Sequence, residues 1–162
     1  MTPQQIMVDV AIANWKLTMK RATSLFDGLT EEEFLKPIAP GRNRVVYLLG
    51  HLTAVHDRML PLLGLGERRH EELDNAFIAN PDGSVEPLPS VADLKRYWDE
   101  TNSLLLEKFV ALTPEQWLER HTAMTDEDLT KDPTRNRLSV FLSRTNHTAF
   151  HLGQLVLAQE KK

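Results

Sequence analysis

Apolar residues recur along this chain with the period of an α-helix, and this repeat constrains the possible folds more than any other feature. The first stripe consists of Val8, Ile12, Trp15, Met19, Ala22 and Phe26. Two further stripes run through residues 48–62 and 94–112, and a fourth segment at 137–160 is apolar on nearly every side. No segment alternates polar and apolar residues between hairpin turns, as a half-buried strand would. The pattern therefore predicts an all-α protein.

Capping residues and helix breakers divide this pattern into four long helices. We expect the first helix to begin near Pro3 and to end at Gly28. The predicted N-caps of the later helical segments are Asn43, Ser90 and, for a short piece, Thr113. Residues 67–89 and the polar stretch 125–136 are predicted to be connections between helices. Four long helices with two long connections are typical of a four-helix bundle, and the extra apolar face of the fourth helix is a candidate dimer contact.

Length, composition and charge narrow the class of protein. A chain of 162 residues with 41% hydrophobic residues suits one domain, which we expect to span 1–162. The net charge of −4 gives no reason to expect binding to nucleic acid or to an anionic membrane. No apolar run is long enough to span a bilayer, and the first residues do not resemble a signal peptide, so we expect a cytoplasmic protein. The absence of cysteine excludes disulfides, thiolate zinc sites and a thiol nucleophile supplied by the chain.

Histidines in the second and fourth helices form the most informative motif. His147 and His151 are four residues apart in NHTAFHLGQL, and therefore lie on one face of a helix. His51, in the second helix, borders the apolar stripe that faces the core. Side chains on facing helices build the metal sites of helical bundles, so the three residues are candidate metal ligands. The alternative is a chance pairing of His147 with His151, found in roughly one such chain in five, and a core histidine bonded to a carbonyl at His51.

The other three histidines are predicted to lie outside this site. His56 is rotated by about 140° from His51 on the same helix, too far to share a ligand sphere. His70 lies in GERRHEE, which is typical of a solvated charge run. His121 is expected to be exposed to solvent in a loop.

Projection along the helices selects further residues that could serve such a site. Gln154 lies one turn beyond His151 and could orient a ligand, and Arg144 lies one turn before His147 and could bind an anionic group of a substrate or thiol cofactor. Tyr47 is a candidate general acid or a core aromatic residue, with the core favoured. We regard Gln154, Arg144 and Tyr47 as candidate catalytic residues. Arg44 and Arg58 also project near His51, and for every arginine the alternative is a solvated or ion-paired side chain.

The chain resembles the DinB-like (damage-inducible protein) superfamily in the segments LLGHLTAVHDRML and NHTAFHLGQL and in the order and lengths of its helices. The resemblance implies a four-helix bundle of up-down-down-up order that is often dimeric, so we expect a homodimer. It also implies a divalent metal, commonly zinc, nickel or iron, held by His51, His147 and His151. Several branches of the superfamily are transferases that use a low-molecular-weight thiol such as bacillithiol, mycothiol or glutathione.

The chemistry of three neutral imidazoles leads to three hypotheses. Such ligands leave the full charge of a divalent metal in place, which favours an anionic fourth ligand such as a thiolate. A small-molecule substrate and a thiol from a second molecule would then make the protein a thiol transferase. A hydrolase or isomerase that uses water activated by the metal is the alternative, but it needs a base. Asp57 should point elsewhere, and Asp126 is the candidate loop residue. A non-enzymatic, stress-related metal-binding bundle is the third hypothesis.

Overall fold

Each of the four apolar stripes lies on a long helix in the computed structural model, which describes residues 1–159. The long helices are α1 Pro3–Asp27, α3 Val45–Asp57, α5 Val91–Ala111 and α8 Arg137–Leu157. The shorter helices are α2 Glu31–Leu35, α4 Met59–Leu62, α6 Pro114–Trp117 and α7 Asp126–Lys131, and one π-helical segment spans Asn75–Ala79. No β-strand occurs in residues 1–159, so the all-α prediction is confirmed.

Aromatic contacts show that α1 and α5 run in opposite directions. Trp15, at the middle of α1, packs edge-on against Phe109 near the end of α5, with ring centroids 5.4 Å apart. Phe26, at the end of α1, packs against Trp98 in the first half of α5, at 5.6 Å. Later residues of α1 therefore meet earlier residues of α5.

The last helix runs alongside α1 in the same direction. The ring of Trp15 contacts Phe141, near the start of α8, with centroids 5.3 Å apart. At the other end of the pair, Leu25 and Leu152 line one cavity between the two helices. Helices α1 and α8 are therefore parallel.

Backbone hydrogen bonds place the end of the second long helix beside the start of the last. The Thr122 N–H donates to the carbonyl of Leu62, at the end of α4, at 2.9 Å. The Arg137 N–H, at the start of α8, donates to the carbonyl of Glu119, also at 2.9 Å. Helix α3, which α4 continues, is therefore antiparallel to α8. The order is up-down-down-up, as predicted.

The core of the bundle is aromatic. The rings of Trp15, Phe109, Trp117 and Phe141 are fully buried and contact one another. Truncation of such a ring to alanine costs about 3–5 kcal/mol, because the surrounding atoms only partly refill the cavity. This cluster therefore fixes how α1, α5 and α8 pack.

Most of the predicted helix ends are confirmed, and one N-cap prediction is wrong. Gly28 is the C-cap of α1, and the Ser90 and Thr113 side chains accept backbone N–H bonds at the starts of α5 and α6. Asn43 does not cap α3, because the N-cap residue is Arg44. The Arg44 N–H instead donates to a carboxylate oxygen of Asp82, at 2.7 Å. The start of α3 is therefore capped by the long connection that leads to α5.

Two connections contain more helix than the sequence pattern indicates. The polar stretch 125–136 contains α7, which begins with a capping box at Thr125. The stretch 67–89 contains the π-helical segment Asn75–Ala79. Helix α8 ends at Leu157, and its predicted end at residue 160 lies outside the described residues. Within those residues, no helix combines the length and apolar character needed to cross a membrane.

Candidate metal centre

Helices α3 and α8 bring the three predicted histidines together. The Nε2 atom of His147 lies 3.3 Å from Nε2 of His51 and 3.1 Å from Nε2 of His151. One ring nitrogen from each residue lies within 4.8 Å of the other two. All three side chains are partly buried, so the cluster can be reached from solvent. Among residues 1–159, this is the group of side chains placed closely enough to hold a metal ion.

Two of these histidines are oriented by acceptors at their other ring nitrogen. His51 Nδ1 lies 2.8 Å from the carbonyl oxygen of Phe77, and His151 Nδ1 lies 2.8 Å from Gln154 Oε1. Both partners accept hydrogen bonds, so each Nδ1 carries the hydrogen and donates it. Each Nε2 atom therefore presents a lone pair, as a metal ligand must.

The chain's own groups do not satisfy every hydrogen-bonding atom of the cluster. His147 Nε2 faces two lone pairs and carries at most one hydrogen, so it can satisfy only one of them. His147 Nδ1 is buried and has no hydrogen-bond partner within the described part of the chain. Ligands about 2.1 Å from one tetrahedral ion lie about 3.4 Å apart, close to the separations found here. The three nitrogens thus fit a divalent metal by both chemistry and distance.

Burial keeps His147 and His151 uncharged. Desolvation, with smaller contributions from His151, His51 and Arg144, lowers the pKa of His147 to about 4. Desolvation also lowers the pKa of His151, against the opposing effect of its bond to Gln154. His147 and His151 are therefore neutral at pH 7, and their lone pairs are available for a cation.

The acceptor for His51 comes from the π-helical segment, and sequence analysis missed it. The Phe77 ring packs so closely over α3 that a Cβ at position 50 would lie 2.3 Å from its Cε1 atom. Only glycine at position 50 permits this approach. A glycine inside a predicted helix costs about 1 kcal/mol relative to alanine, and this cost is the one sequence signal of a close neighbour here.

Tyr47 lies beside the cluster, next to His51. Its ring lies parallel to that of His51, with centroids 6.3 Å apart, and its hydroxyl donates to the Asn80 carbonyl at 2.8 Å. Burial raises the pKa of the Tyr47 phenol. The tyrosine therefore ties the connection after Phe77 to α3, which agrees with the favoured core role. Its role as a general acid stays a prediction.

The arginines selected by projection separate into two groups. Arg44 binds Asp82 at 2.7 Å and Glu86 at 2.6 Å, and Arg58 binds Asp74 at 2.7 Å. Both are therefore ion-paired side chains. Arg144 is partly buried, and its Nε atom has no hydrogen-bond partner among residues 1–159.

His56 lies outside the cluster, as predicted, and the other two histidines, His70 and His121, are less exposed than predicted. His56 is fully buried between Asn102 and Thr148, and His70 is buried and stacks on Tyr97 with ring centroids 4.1 Å apart. The prediction that His70 lies in a solvated run is therefore wrong. His121 is partly buried rather than exposed, and does not join the cluster.

Neither carboxylate considered as a base belongs to the cluster. Asp57 is fully buried and accepts hydrogen bonds from Arg68 at 2.9 Å and from the N–H groups of Arg69 and His70. These bonds explain the burial of His70, because they fold its backbone against α3. Asp126 is exposed and pairs with Arg120 at 2.7 Å. The group of possible ligands in residues 1–159 is purely histidine.

Comparisons with known proteins agree with this architecture. No curated protein matches the chain significantly. A crystal structure of a conserved protein from Enterococcus faecalis is similar, with a TM-score of 0.65 and 17% sequence identity, over 98% of this chain and 95% of that one. At this identity the likeness shows the fold alone. The model of the DinB superfamily matches residues 14–155, which include all three clustered histidines. The chain therefore belongs to the DinB superfamily.

Proposed function

We propose that His51, His147 and His151 bind a divalent metal, and that the protein is an enzyme joining a low-molecular-weight thiol to a small electrophile. One observation carries this proposal: three imidazole nitrogens converge within hydrogen-bond distance, and two of them present lone pairs to the third. Zinc, nickel and iron all accept such ligands. The whole chain, 1–162, would act as one domain.

The chain's own residues would hold and orient the reactants. When bound, the metal would supply a positive charge that lowers the pKa of a thiol brought beside it. Phe77 and Gln154 would keep the rings of His51 and His151 aimed at one point through their hydrogen bonds to Nδ1. In the transfer, sulfur forms a bond to carbon, the displaced electron pair leaves with the leaving group, and the thiol proton passes to solvent.

The absence of a nearby base favours thiol transfer over hydrolysis. Hydrolysis at a metal normally uses a carboxylate to accept a proton from water. Within residues 1–159 the cluster contains no carboxylate, and the two candidates are committed to arginines elsewhere. A thiol loses its proton without such a base more readily than water does, since its ordinary pKa of about 8.5 is far below that of water. Three protein ligands also leave a coordination position open, unlike a closed structural site.

The outer face of α8 supports the proposal that the enzyme is a homodimer. Every exposed residue between positions 142 and 157 is uncharged, in a chain where 26% of residues are charged. Leu142, Phe150, Val156 and Leu157 are the large apolar members of this face. The Phe150 ring also lies 5.3 Å from that of His151, so a second copy packed there would cover one side of the cluster. Sedimentation equilibrium tests this, with Phe150→Glu expected to give monomers.

Metal content tests the site itself. Untagged protein, supplied with zinc, nickel, iron or manganese, is measured by mass spectrometry beside a His147→Ala/His151→Ala variant. We expect about one ion per chain in the native protein and none in the double variant. His121→Ala is the matched control, because it removes a histidine outside the cluster and should retain the ion. Native protein that binds none of these metals would contradict the proposal.

The reaction class needs a second assay. Metal-loaded protein is mixed with an alkylating electrophile, with and without glutathione or another small thiol. Conjugation that requires both the thiol and the metal is expected, and His51→Ala should abolish it. Conversion of the electrophile at the same rate without thiol would instead indicate hydrolysis or isomerisation.

A further inference from the structure

Arg144 differs from every other partly buried arginine in residues 1–159. The others are Arg44, Arg68 and Arg137, and each binds a carboxylate, at 2.7, 2.9 and 3.0 Å respectively. Arg144 has no carboxylate partner in that part of the chain, although its Nε atom is buried. A guanidinium is always charged, and withdrawing it from water without a partner is unfavourable. Within residues 1–159, Arg144 is therefore the partly buried arginine that has no carboxylate partner.

The position of Arg144 links it to the histidine cluster. It precedes His147 by three residues on α8, and residues at this spacing are neighbours on a helix surface, with Cβ atoms about 5–6 Å apart. An anion bound by Arg144 would therefore lie beside the cluster.

We propose that Arg144 binds the carboxylate of the thiol co-substrate, so that this enzyme uses a thiol acid. This inference rests on the proposed function, because the sulfur is placed at the histidine cluster. One unpaired guanidinium is neutralised by one negative charge, which favours a carboxylate over a phosphate monoester of about two charges. The planar guanidinium also matches a carboxylate with two parallel hydrogen bonds. Because Arg144 and His147 are one turn apart on α8, we expect the thiol and the carboxylate of the co-substrate to be separated by a few carbon atoms.

Two matched thiols test the inference on the full chain loaded with cobalt(II), whose visible absorption reports a new sulfur ligand. The probes are 3-mercaptopropionate and 3-mercapto-1-propanol, which have the same length and differ in the terminal carboxylate. In the native protein we expect the acid to bind at least about tenfold more tightly, as a charged hydrogen-bonded pair allows. Metal content after each titration verifies that the thiol has not removed the cobalt.

Variants at position 144 assign the preference to the guanidinium. Arg144→Gln should remove the preference for the acid and leave binding of the alcohol unchanged. Arg144→Lys keeps the charge and loses the planar fork, so an intermediate preference is expected. Arg135→Gln is the control, because it makes the same change in net charge at an exposed position just before α8. If Arg144→Gln does not fold, the Arg144→Lys comparison still decides the matter.

The possible failures are distinguishable. Equal binding of the two thiols to native protein, or an acid preference that survives in both Arg144 variants, would overturn the role of Arg144 and leave the proposed function standing. Cobalt that does not bind, or whose spectrum neither thiol changes, would overturn the proposed function and this inference with it.

Discussion

Two histidines five residues apart on α3 both meet α8, and their hydrogen bonds differ in kind. His56 Nδ1 lies 2.8 Å from Asn102 Oδ1, and its Nε2 lies 2.9 Å from the Thr148 hydroxyl. Nδ1 donates to the amide oxygen and Nε2 faces the hydroxyl, so both ring nitrogens of His56 have a partner. His51 has a hydrogen-bond acceptor at Nδ1. Its Nε2 lies beside Nε2 of His147, which can donate at most one hydrogen and faces the lone pairs of both His51 and His151.

The difference separates a structural histidine from a candidate ligand. A fully satisfied polar group in the core joins helices and specifies their packing. A surplus of acceptors at one point has to be balanced by something that the chain does not supply. The environments agree with this division, since His56 is fully buried against Trp15 and Trp98, whereas the clustered histidines are partly open to solvent.

Removing one clustered histidine should produce the largest effect. His51→Ala deletes one of three proposed ligands, and a structural zinc site of four ligands is worth about 10–16 kcal/mol, or about 2.5–4 kcal/mol for each ligand. We expect metal affinity to fall by about 100- to 1,000-fold, measured by competition with a chromophoric chelator. The free energy of unfolding of the metal-free protein should change little. A large loss of stability in the metal-free form would show that His51, like His56, has a structural role.

Replacing the buried His56 should lower stability and leave metal binding unchanged. His56→Leu leaves the Asn102 amide oxygen without its donor, which costs about 1–3 kcal/mol, and it also disturbs the packing against Trp15 and Trp98. We expect the free energy of unfolding in urea to fall by about 3 kcal/mol, with one metal ion still bound per chain. In a double-mutant cycle, Thr148→Val should cost less in the His56→Leu background than alone, since its partner is already gone. Additive costs would show that the two side chains are not coupled.

The residues that orient the ligands should have an intermediate effect. Gln154→Ala removes the acceptor of His151 Nδ1, and the loss of such a partner typically lowers metal affinity by about 10–100-fold. We expect a loss near the lower end of this range, because the ring stays on a rigid helix. Gln159→Ala, at an exposed position, is the matched control and should have no effect. Equal affinities of the Gln154→Ala variant and the native protein would remove Gln154 from the site.

The dependence of stability on pH should give the smallest difference. Burial, opposed by the bond to Asn102, lowers the pKa of His56 to about 3, from 6.5 in an unfolded chain. Above pH 6.5 the residue is neutral in both states. Between pH 6.5 and about 3 only the unfolded chain binds the proton, so stability falls as pH falls, by up to about 1.4 kcal/mol per pH unit.

Comparing variants isolates this contribution. The free energy of unfolding of metal-free protein, measured at pH 7.5, 6.5 and 5.5, should fall less steeply in His56→Leu than in the native chain. Parallel pH profiles of the two proteins would mean that His56 does not bind its proton differently in the folded and unfolded states.

The sequence predicted those parts of the fold and site that depend on local pattern. The stripes located the long helices because amphipathic periodicity expresses burial directly. The spacing of His147 and His151 placed them on one face, and Gln154 followed from the same projection. These inferences needed only the geometry of a single helix.

The remainder depends on contacts between segments distant in the chain. Asp82 caps α3 from 38 residues away, so the nearer Asn43 was the wrong choice. The acceptor for His51 is a backbone carbonyl, which every residue carries and no residue type reveals. His70 was misjudged because a buried carboxylate at Asp57 organises the backbone of an otherwise charged stretch. The lack of a carboxylate partner for Arg144 within residues 1–159 also depends on tertiary contacts, which no local pattern reveals.

Gly50 gives the site an unusual evolutionary vulnerability. The space left by its missing side chain is occupied by the Phe77 ring, and the carbonyl of the same residue holds His51. A mutation to alanine would displace that ring without touching a histidine or the aromatic core. Descendants of this chain could therefore lose the orientation of His51 through one methyl group while every histidine persists in their sequences. Among relatives, an intact three-histidine motif with a larger residue before the first histidine would mark a bundle whose histidine cluster is held differently.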